Sequence, residues 1–229
     1  MTHLTPQFSS AVEYARELFA RDTRKATGAP YLSHLLAVAA IVLEHGGSEE
    51  AAIACVLHDA AEDHGGRARL DEIRRRFGSA VADVVATCSD SLEPEGAPKA
   101  PWWNRKVAYL AALTRADSTS ALVAAADKLH NARTLRADYR TLGPQLWARF
   151  NAEAGRGGTL WYYRRVAEVL PHRLSSRAST LGVELAEAVG AIVSAVAARE
   201  ADSSQLDRDY ETAVDRERSM RSELGLNAD

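Results

Sequence analysis

Ala54-Cys55-Val56-Leu57-His58-Asp59-Ala60-Ala61-Glu62-Asp63-His64 reads as an apolar helical run that carries His58, Asp59, Glu62 and Asp63 in quick succession. At 3.6 residues per turn, positions four apart share a stripe. Glu62 is therefore expected one turn beyond His58, and Asp63 one turn beyond Asp59. An imidazole and three carboxylates beside Val56 and Leu57 would cost several kcal/mol if buried unpaired. A bound divalent cation offsets that cost, which makes a metal site the first hypothesis.

Working outward, the chain reads as helices throughout. Ser48 with Glu49 and Glu50 looks like a cap and an acidic first turn for the helix that carries this stretch, and Gly65-Gly66 ends it. Upstream, Thr5-Pro6 reads as an N-cap with proline at the first helical position, followed by Phe8, Val12, Ala15, Leu18 and Phe19 at helical spacing. Gly28-Ala29-Pro30-Tyr31 makes a turn, and Ser33 is expected to cap a helix that begins with His34. Downstream, 70–77 reads as a short helix, Ser79 as the cap of the next, and 93–98 as a loop rich in proline and glycine. A helix bearing Trp102, Trp103, Val107 and Leu110 leads to an alanine-rich one opened by Ser118-Thr119-Ser120, on which Asp127 and Asn131 share a stripe. Gly143-Pro144 breaks it. Segments 145–153 and 159–170 read as helices separated by glycine-rich 155–158, and Leu181 to Val196 spaces one further helix. The charged tail from Ala201 is either a solvated helix or disordered. No period-2 strand pattern is found, so the expected fold is an all-α bundle. Residues 1–172 form its main domain, and 173–229 form a C-terminal helical extension and tail.

The 229 residues, 46% hydrophobic and 26% charged, suit one large domain or a domain with an appendage. A net charge of -3 gives no overall cationic field, so no nucleic-acid polymer is expected as a partner. Cys55 and Cys88 sit in apolar helical patterns. They support neither a disulfide framework nor a Cys-rich zinc site, and they fit a reducing cytoplasm. The N-terminus lacks a basic segment followed by an apolar one, and no apolar run is read as approaching the ~20 residues that span a bilayer. A cytoplasmic protein without a membrane partner is expected, and a homo-oligomer is compatible with the sequence.

The ligand candidates are His34, His58, Asp59 and Asp127, from three helices, which is how bundles build metal sites in their interior. Imidazole mixed with carboxylate suits Mn, Fe, Zn, Co or Ni better than Mg or Ca. Taken singly, each is better read as a first-turn histidine, a local hydrogen-bonded pair or a salt-bridge partner, because a lone polar residue is rarely a ligand.

Taken together, Gly28-Ala29-Pro30-Tyr31-Leu32-Ser33-His34, Leu57-His58-Asp59-Ala60-Ala61-Glu62-Asp63, Phe77-Gly78 and Ala126-Asp127-Lys128-Leu129-His130-Asn131 with Arg133-Thr134-Leu135 resemble the HD superfamily of metal-dependent phosphohydrolases. Within it they are similar to the hydrolase domain of the RelA/SpoT enzymes and its stand-alone small relatives. The resemblance covers roughly residues 1–170. It implies an HD-domain helical bundle that hydrolyses a phosphorylated nucleotide, a 3′-pyrophosphorylated alarmone such as ppGpp. It implies a divalent metal, Mn²⁺, on His34, His58, Asp59 and Asp127, with Glu62 and Asp63 as catalytic groups beside the reacting water. It implies Arg24, Lys25 and Asn131 as substrate-binding residues. Elementary chemistry agrees, because carboxylates one turn from the ligands can orient a water and relay its proton, and Arg24 and Lys25 offer charge to a polyanion.

Two departures bear on the substrate. Val123-Ala124-Ala125-Ala126-Asp127 stands where the family reads Val-Lys-Leu-Ala-Asp, and Cys88-Ser89-Asp90-Ser91-Leu92 replaces its Thr-Lys-Leu. Lys99, Trp102, Trp103, Arg105 and Lys106 are available as replacement cations or a stacking platform. The alternatives are the same chemistry on an adenine alarmone, NADPH, a nucleotide monoester or a cyclic nucleotide, or a catalytically silent nucleotide-binding regulatory module. The roughly 60 residues after Pro171 are too few for a nucleotide-synthetase domain.

Overall fold

Thr5 caps α1 (Pro6–Leu18) by accepting from the Gln7 N–H at 3.2 Å. Ser48 caps α3 (Glu49–Leu57) by accepting from the Ala51 N–H at 3.2 Å. Between them lies α2 (Leu32–Glu44); α4 (Ala60–Asp63), α5 (Gly66–Phe77), α6 (Ser79–Cys88), α7 (Trp102–Leu113), α8 (Ser118–Leu142), α9 (Gly155–Val169), α10 (Ser179–Ala197) and α11 (Ser203–Glu223) follow. The computed structural model describes residues 2–24, 27–200 and 203–226. Among these the fold is all-α, without a strand; an isolated bridge pairs Thr23 with Pro30.

The middle of the bundle is made by α3 and α8. Ala51 to Leu57 are fully buried, as are Val123 to Ala126. The alanines at 51, 52, 54, 121 and 124–126 present little more than backbone, so α2 and α6 pack closely against both helices. That close approach brings a histidine from α2 and an aspartate from α8 to the end of α3.

Several sequence expectations are corrected in detail. The run expected as one helix through His64 breaks at His58-Asp59, where α3 ends and the single turn of α4 begins. Asp63 still donates its N–H to Asp59 O at 2.9 Å, so the one-turn relation of that pair survives. Tyr31 rather than Ser33 occupies the N-cap position of α2, and Ser79 begins α6 without capping it. Asp117 caps α8 through bonds from Thr119 N–H and Ser120 N–H at 2.8 and 3.0 Å. A 3-10 helix, Gly143–Arg149, replaces the helix expected at 145–153. Gly155 to Gly158 form the first turn of α9, and the wall of α7 leaves no room for a side chain at Gly158. A Cβ on Gly158 would lie 3.1 Å from Trp103 and 3.3 Å from Trp102.

The apolar run Ser176–Ala197 also departs from expectation. Within its 22 residues an 18-residue window reaches a mean hydropathy of 1.6, with 33% of that window buried, which is long and apolar enough to cross a membrane by length and composition. Leu181, Leu185, Val189, Ile192 and Val196 form its buried stripe, on a helix that packs against α8 and α9. The expected tail is helical over α11, which packs on α9 and α7. Glu217, 3% exposed, accepts there from Arg165 Nε at 2.8 Å, Arg221 Nε at 3.0 Å and Trp161 Nε1 at 3.2 Å.

Candidate functional site

His34 stands in the first turn of α2, His58 and Asp59 at the break between α3 and α4, and Asp127 near the middle of α8. One ligand atom from each of His34, His58 and Asp59 lies within 4.8 Å of the others. Asp127 Oδ1 closes the group, 3.2 Å from His34 Nε2 and 3.6 Å from His58 Nε2. Asp59 Oδ2 faces the same two atoms at 3.7 and 3.0 Å. All four residues predicted as ligands therefore meet.

The remaining polar atoms of this group are held from outside. His58 Nδ1 bonds to Cys55 O at 2.7 Å. Tyr31 donates its hydroxyl to Asp59 Oδ2 at 2.7 Å, and Lys128 Nζ donates to Asp127 Oδ2 at 2.6 Å. Asn131 Nδ2 donates to Asp127 Oδ1, and its Oδ1 accepts from Arg24 Nη2 at 2.8 Å. What is left is informative: both buried Nε2 atoms, of His34 and His58, lack a well-formed hydrogen bond although carboxylate oxygens surround them. Buried polar groups are rarely left so. Two imidazole lone pairs and two carboxylates aimed at one space fit a divalent transition-metal ion.

The charges agree with that fit. Burial raises Asp59 and Asp127, but His58 beside Asp59 and Lys128 beside Asp127 hold both carboxyls well below their usual range. Burial lowers His34. It also opposes the charge on His58, yet Asp59 and Asp127 push the His58 imidazole well above its usual value. Without a cation, the two ionised carboxylates favour a proton on His58, where a metal would sit.

Beyond α4 opens a cavity of about 510 Å³, bordered by Glu62, Asp63, Arg24, Asn131, Lys99 and Trp102. Glu62 Oε2 accepts from the Asp90 N–H at 3.1 Å and Oε1 from Lys99 Nζ at 3.2 Å. Desolvation and then the charge of Asp90 raise its pKa. Asp63 reaches solvent, but its carboxyl faces into the concavity, where desolvation and the Asp59 charge raise it from 3.8 to about 6. Asp90 is braced by Arg105 and by Lys106 Nζ at 2.6 Å. Gly66 keeps this loop near α4, since its backbone approaches Leu92 and Glu93 more closely than a Cβ would permit, and Arg67 N–H donates to Leu92 O at 3.1 Å.

The catalytic candidates Glu62 and Asp63 and the binding candidates Arg24 and Asn131 thus border one space. Lys25 lies outside the described residues. Arg105, Lys106 and Lys99 line the cavity as suggested, but each is paired with a carboxylate. The two tryptophans divide, with Trp103 in the core and Trp102 on the cavity wall. Sequence reasoning missed Tyr31, Lys128, His130 and Asp90. Tyr31, Lys128 and His130 stand inside the quoted motifs, and their places within one helical turn of a ligand were the available signal. His64, expected at a helix end, pairs with Asp22 Oδ2 at 2.6 Å and anchors α4 to the segment leading into Arg24.

The chain is 34% identical over 124 residues to a guanosine-3′,5′-bis(diphosphate) 3′-pyrophosphohydrolase of Haemophilus influenzae, covering 52% of the chain and 18% of that protein. It is 33% identical over 126 residues to a probable chloroplastic GTP diphosphokinase of Arabidopsis thaliana, covering 54% and 17%. The chain thus spans less than a fifth of the length of these relatives. Its fold matches a solved structure described as a metazoan ortholog of SpoT that hydrolyses ppGpp, with a TM-score of 0.63, 21% identity and coverage of 82% and 96%. It also matches a crystal structure from Listeria monocytogenes EGD-e, with a TM-score of 0.57, 27% identity and coverage of 68% and 96%. The profile described as HD domain matches residues 11–160, and the chain belongs to the HD-domain family.

Proposed function

We propose that the chain is a metal-dependent phosphohydrolase that cleaves a 3′-pyrophosphorylated nucleotide alarmone of the ppGpp type, releasing pyrophosphate and a nucleoside 5′-phosphate. The observation that carries this reading is the pair of orphaned, buried Nε2 atoms of His34 and His58, facing Asp59 and Asp127 beside a cavity bordered by Glu62 and Asp63. The name of the Haemophilus relative and the description of the metazoan structure support it.

His34, His58, Asp59 and Asp127 would hold the cation, Mn²⁺ being among those that suit two imidazoles with two carboxylates. When bound, such a cation polarises a phosphoryl oxygen and lowers the pKa of water. Asp63, raised to about 6, is the proton acceptor suited to near-neutral operation. Glu62, fixed by Lys99 and the Asp90 N–H, orients the attacking water. Attack at the 3′-linked phosphorus breaks its bond to the ribose 3′-oxygen, which takes up a proton as pyrophosphate leaves. Arg24 and Asn131 bind the nucleotide, joined by Lys25. Residues 1–172 carry this chemistry and 173–229 brace it. Cys55 and Cys88, buried and unpaired, suit a reducing cytoplasm.

The test is product analysis of Mn²⁺-loaded protein with ppGpp, its adenine counterpart, NADPH and simple nucleotides. Pyrophosphate and GDP are expected from ppGpp. No turnover of either alarmone overturns the proposal.

A further inference from the structure

His130 stands in the Ala126-Asp127-Lys128-Leu129-His130-Asn131 run, yet the proposed chemistry gives it no role. Its Nδ1 lies 2.8 Å from His34 Nδ1, with ring centroids 4.8 Å apart. Two imidazole nitrogens at that distance share one proton, so one donates and the other accepts. The corresponding atom of His58 faces Cys55 O at 2.7 Å. A carbonyl only accepts, which confines a neutral His58 to the Nδ1–H tautomer and puts its lone pair on Nε2. His34 has no such one-way partner. If His130 donates, a neutral His34 carries its hydrogen on Nε2, towards Asp127 Oδ1 at 3.2 Å, and that position is closed to a cation. If His130 accepts, the Nε2 lone pair of His34 is free.

We propose that His130 is the positioning residue that readies His34 for a divalent cation, by accepting the Nδ1–H of His34 and so placing the His34 lone pair on Nε2. This rests on reading His34, His58, Asp59 and Asp127 as the metal-binding set and needs nothing about the substrate. The tautomer exchange balances. His34 Nε2 releases its proton to water, His34 Nδ1 takes the proton held by His130 Nδ1, and His130 Nε2 takes one from water. Both rings stay neutral throughout.

The test uses the full chain with Zn²⁺ as a diamagnetic probe, measured by titration calorimetry on wild type, His130→Ala and His130→Asn. The Asn Oδ1 occupies the place of the imidazole Nδ1 and can accept from His34. His130→Ala is expected to weaken Zn²⁺ binding by about 10- to 100-fold, and His130→Asn to recover most of the loss. Thermal unfolding of the metal-free variants establishes that they are folded. Independently of any variant, ¹⁵N spectra of Zn²⁺-loaded wild type are expected to find His130 protonated on Nε2 and bare on Nδ1. A proton on His130 Nδ1 in the loaded protein, unchanged affinity in His130→Ala, or His130→Asn as weak as His130→Ala would each overturn the proposal. Wild type that binds Zn²⁺ but cleaves no alarmone contradicts the hydrolase reading alone. Wild type that binds no Zn²⁺ contradicts both.

Discussion

The backbone N–H of Asp90 donates to Glu62 Oε2 across 3.1 Å, so a loop residue beyond α6 holds the carboxylate that borders the cavity. Asp90 is itself held by Arg105 and Lys106, with its side chain only 3% exposed. Burial raises its pKa, but the two cations more than offset this and bring it from 3.8 to about 2. A carboxyl lowered on folding stabilises the native state above its unfolded pKa, and that contribution is lost as pH falls through the folded value. Asp90→Asn should cost roughly 2 kcal/mol at pH 7, and much less near pH 2. Urea unfolding at both pH values checks this; an equal loss at both would remove the ionic role of Asp90.

Asp63 sets a pH dependence of a different kind. Desolvation, then the Asp59 charge, raise its pKa to about 6, and in the proposed role of proton acceptor it must be ionised. Turnover should fall about tenfold per pH unit below that value and level off above it. Asp63→Asn should be slow throughout and lack this limb. If the limb persists in Asp63→Asn, the titrating group lies elsewhere.

Tyr31→Phe deletes one hydroxyl, the donor to Asp59 Oδ2 at 2.7 Å. Outer hydrogen bonds to metal ligands are typically worth about 10- to 100-fold in metal affinity or activity. Mn²⁺ binding by calorimetry should weaken within that range. Unchanged affinity would show that Asp59 needs no such support.

Glu217→Ala leaves Arg165, Arg221 and the Trp161 indole without their shared buried acceptor. Removing one partner from a buried ionic group costs about 3 kcal/mol or more. Denaturant titration should register that loss while metal affinity stays near wild type. No loss would mean that the α11 contact contributes little to holding α9.

The helical architecture and the four ligand candidates were legible because both depend on local pattern. Apolar residues recur at helical spacing, and His34, His58, Asp59 and Asp127 interrupt apolar stretches where an unpaired polar group would be costly. The groups that hold them were harder to read. Asp90 meets Glu62 only because the 89–101 loop folds back over Gly66, and a loop path has no periodicity to read. Glu217 looks like part of a solvated charged tail until α11 lies on Trp161 and Arg165. The glycine-rich segment 155–158 resembles a linker, but it opens α9, and Gly158 packs closely against Trp102 and Trp103. The apolar length of α10 was underestimated because glycine, serine and glutamate are scattered among its aliphatic residues.

The central claim is that the cation held by His34, His58, Asp59 and Asp127 is required for alarmone cleavage. Its most direct test is pyrophosphate release from ppGpp by chelator-stripped protein titrated with Mn²⁺, with Asp59→Ala measured alongside. Release should rise from baseline in proportion to the first equivalent bound, and Asp59→Ala should stay at baseline. Full-rate release by stripped protein held in chelator, or by Asp59→Ala, would contradict the account.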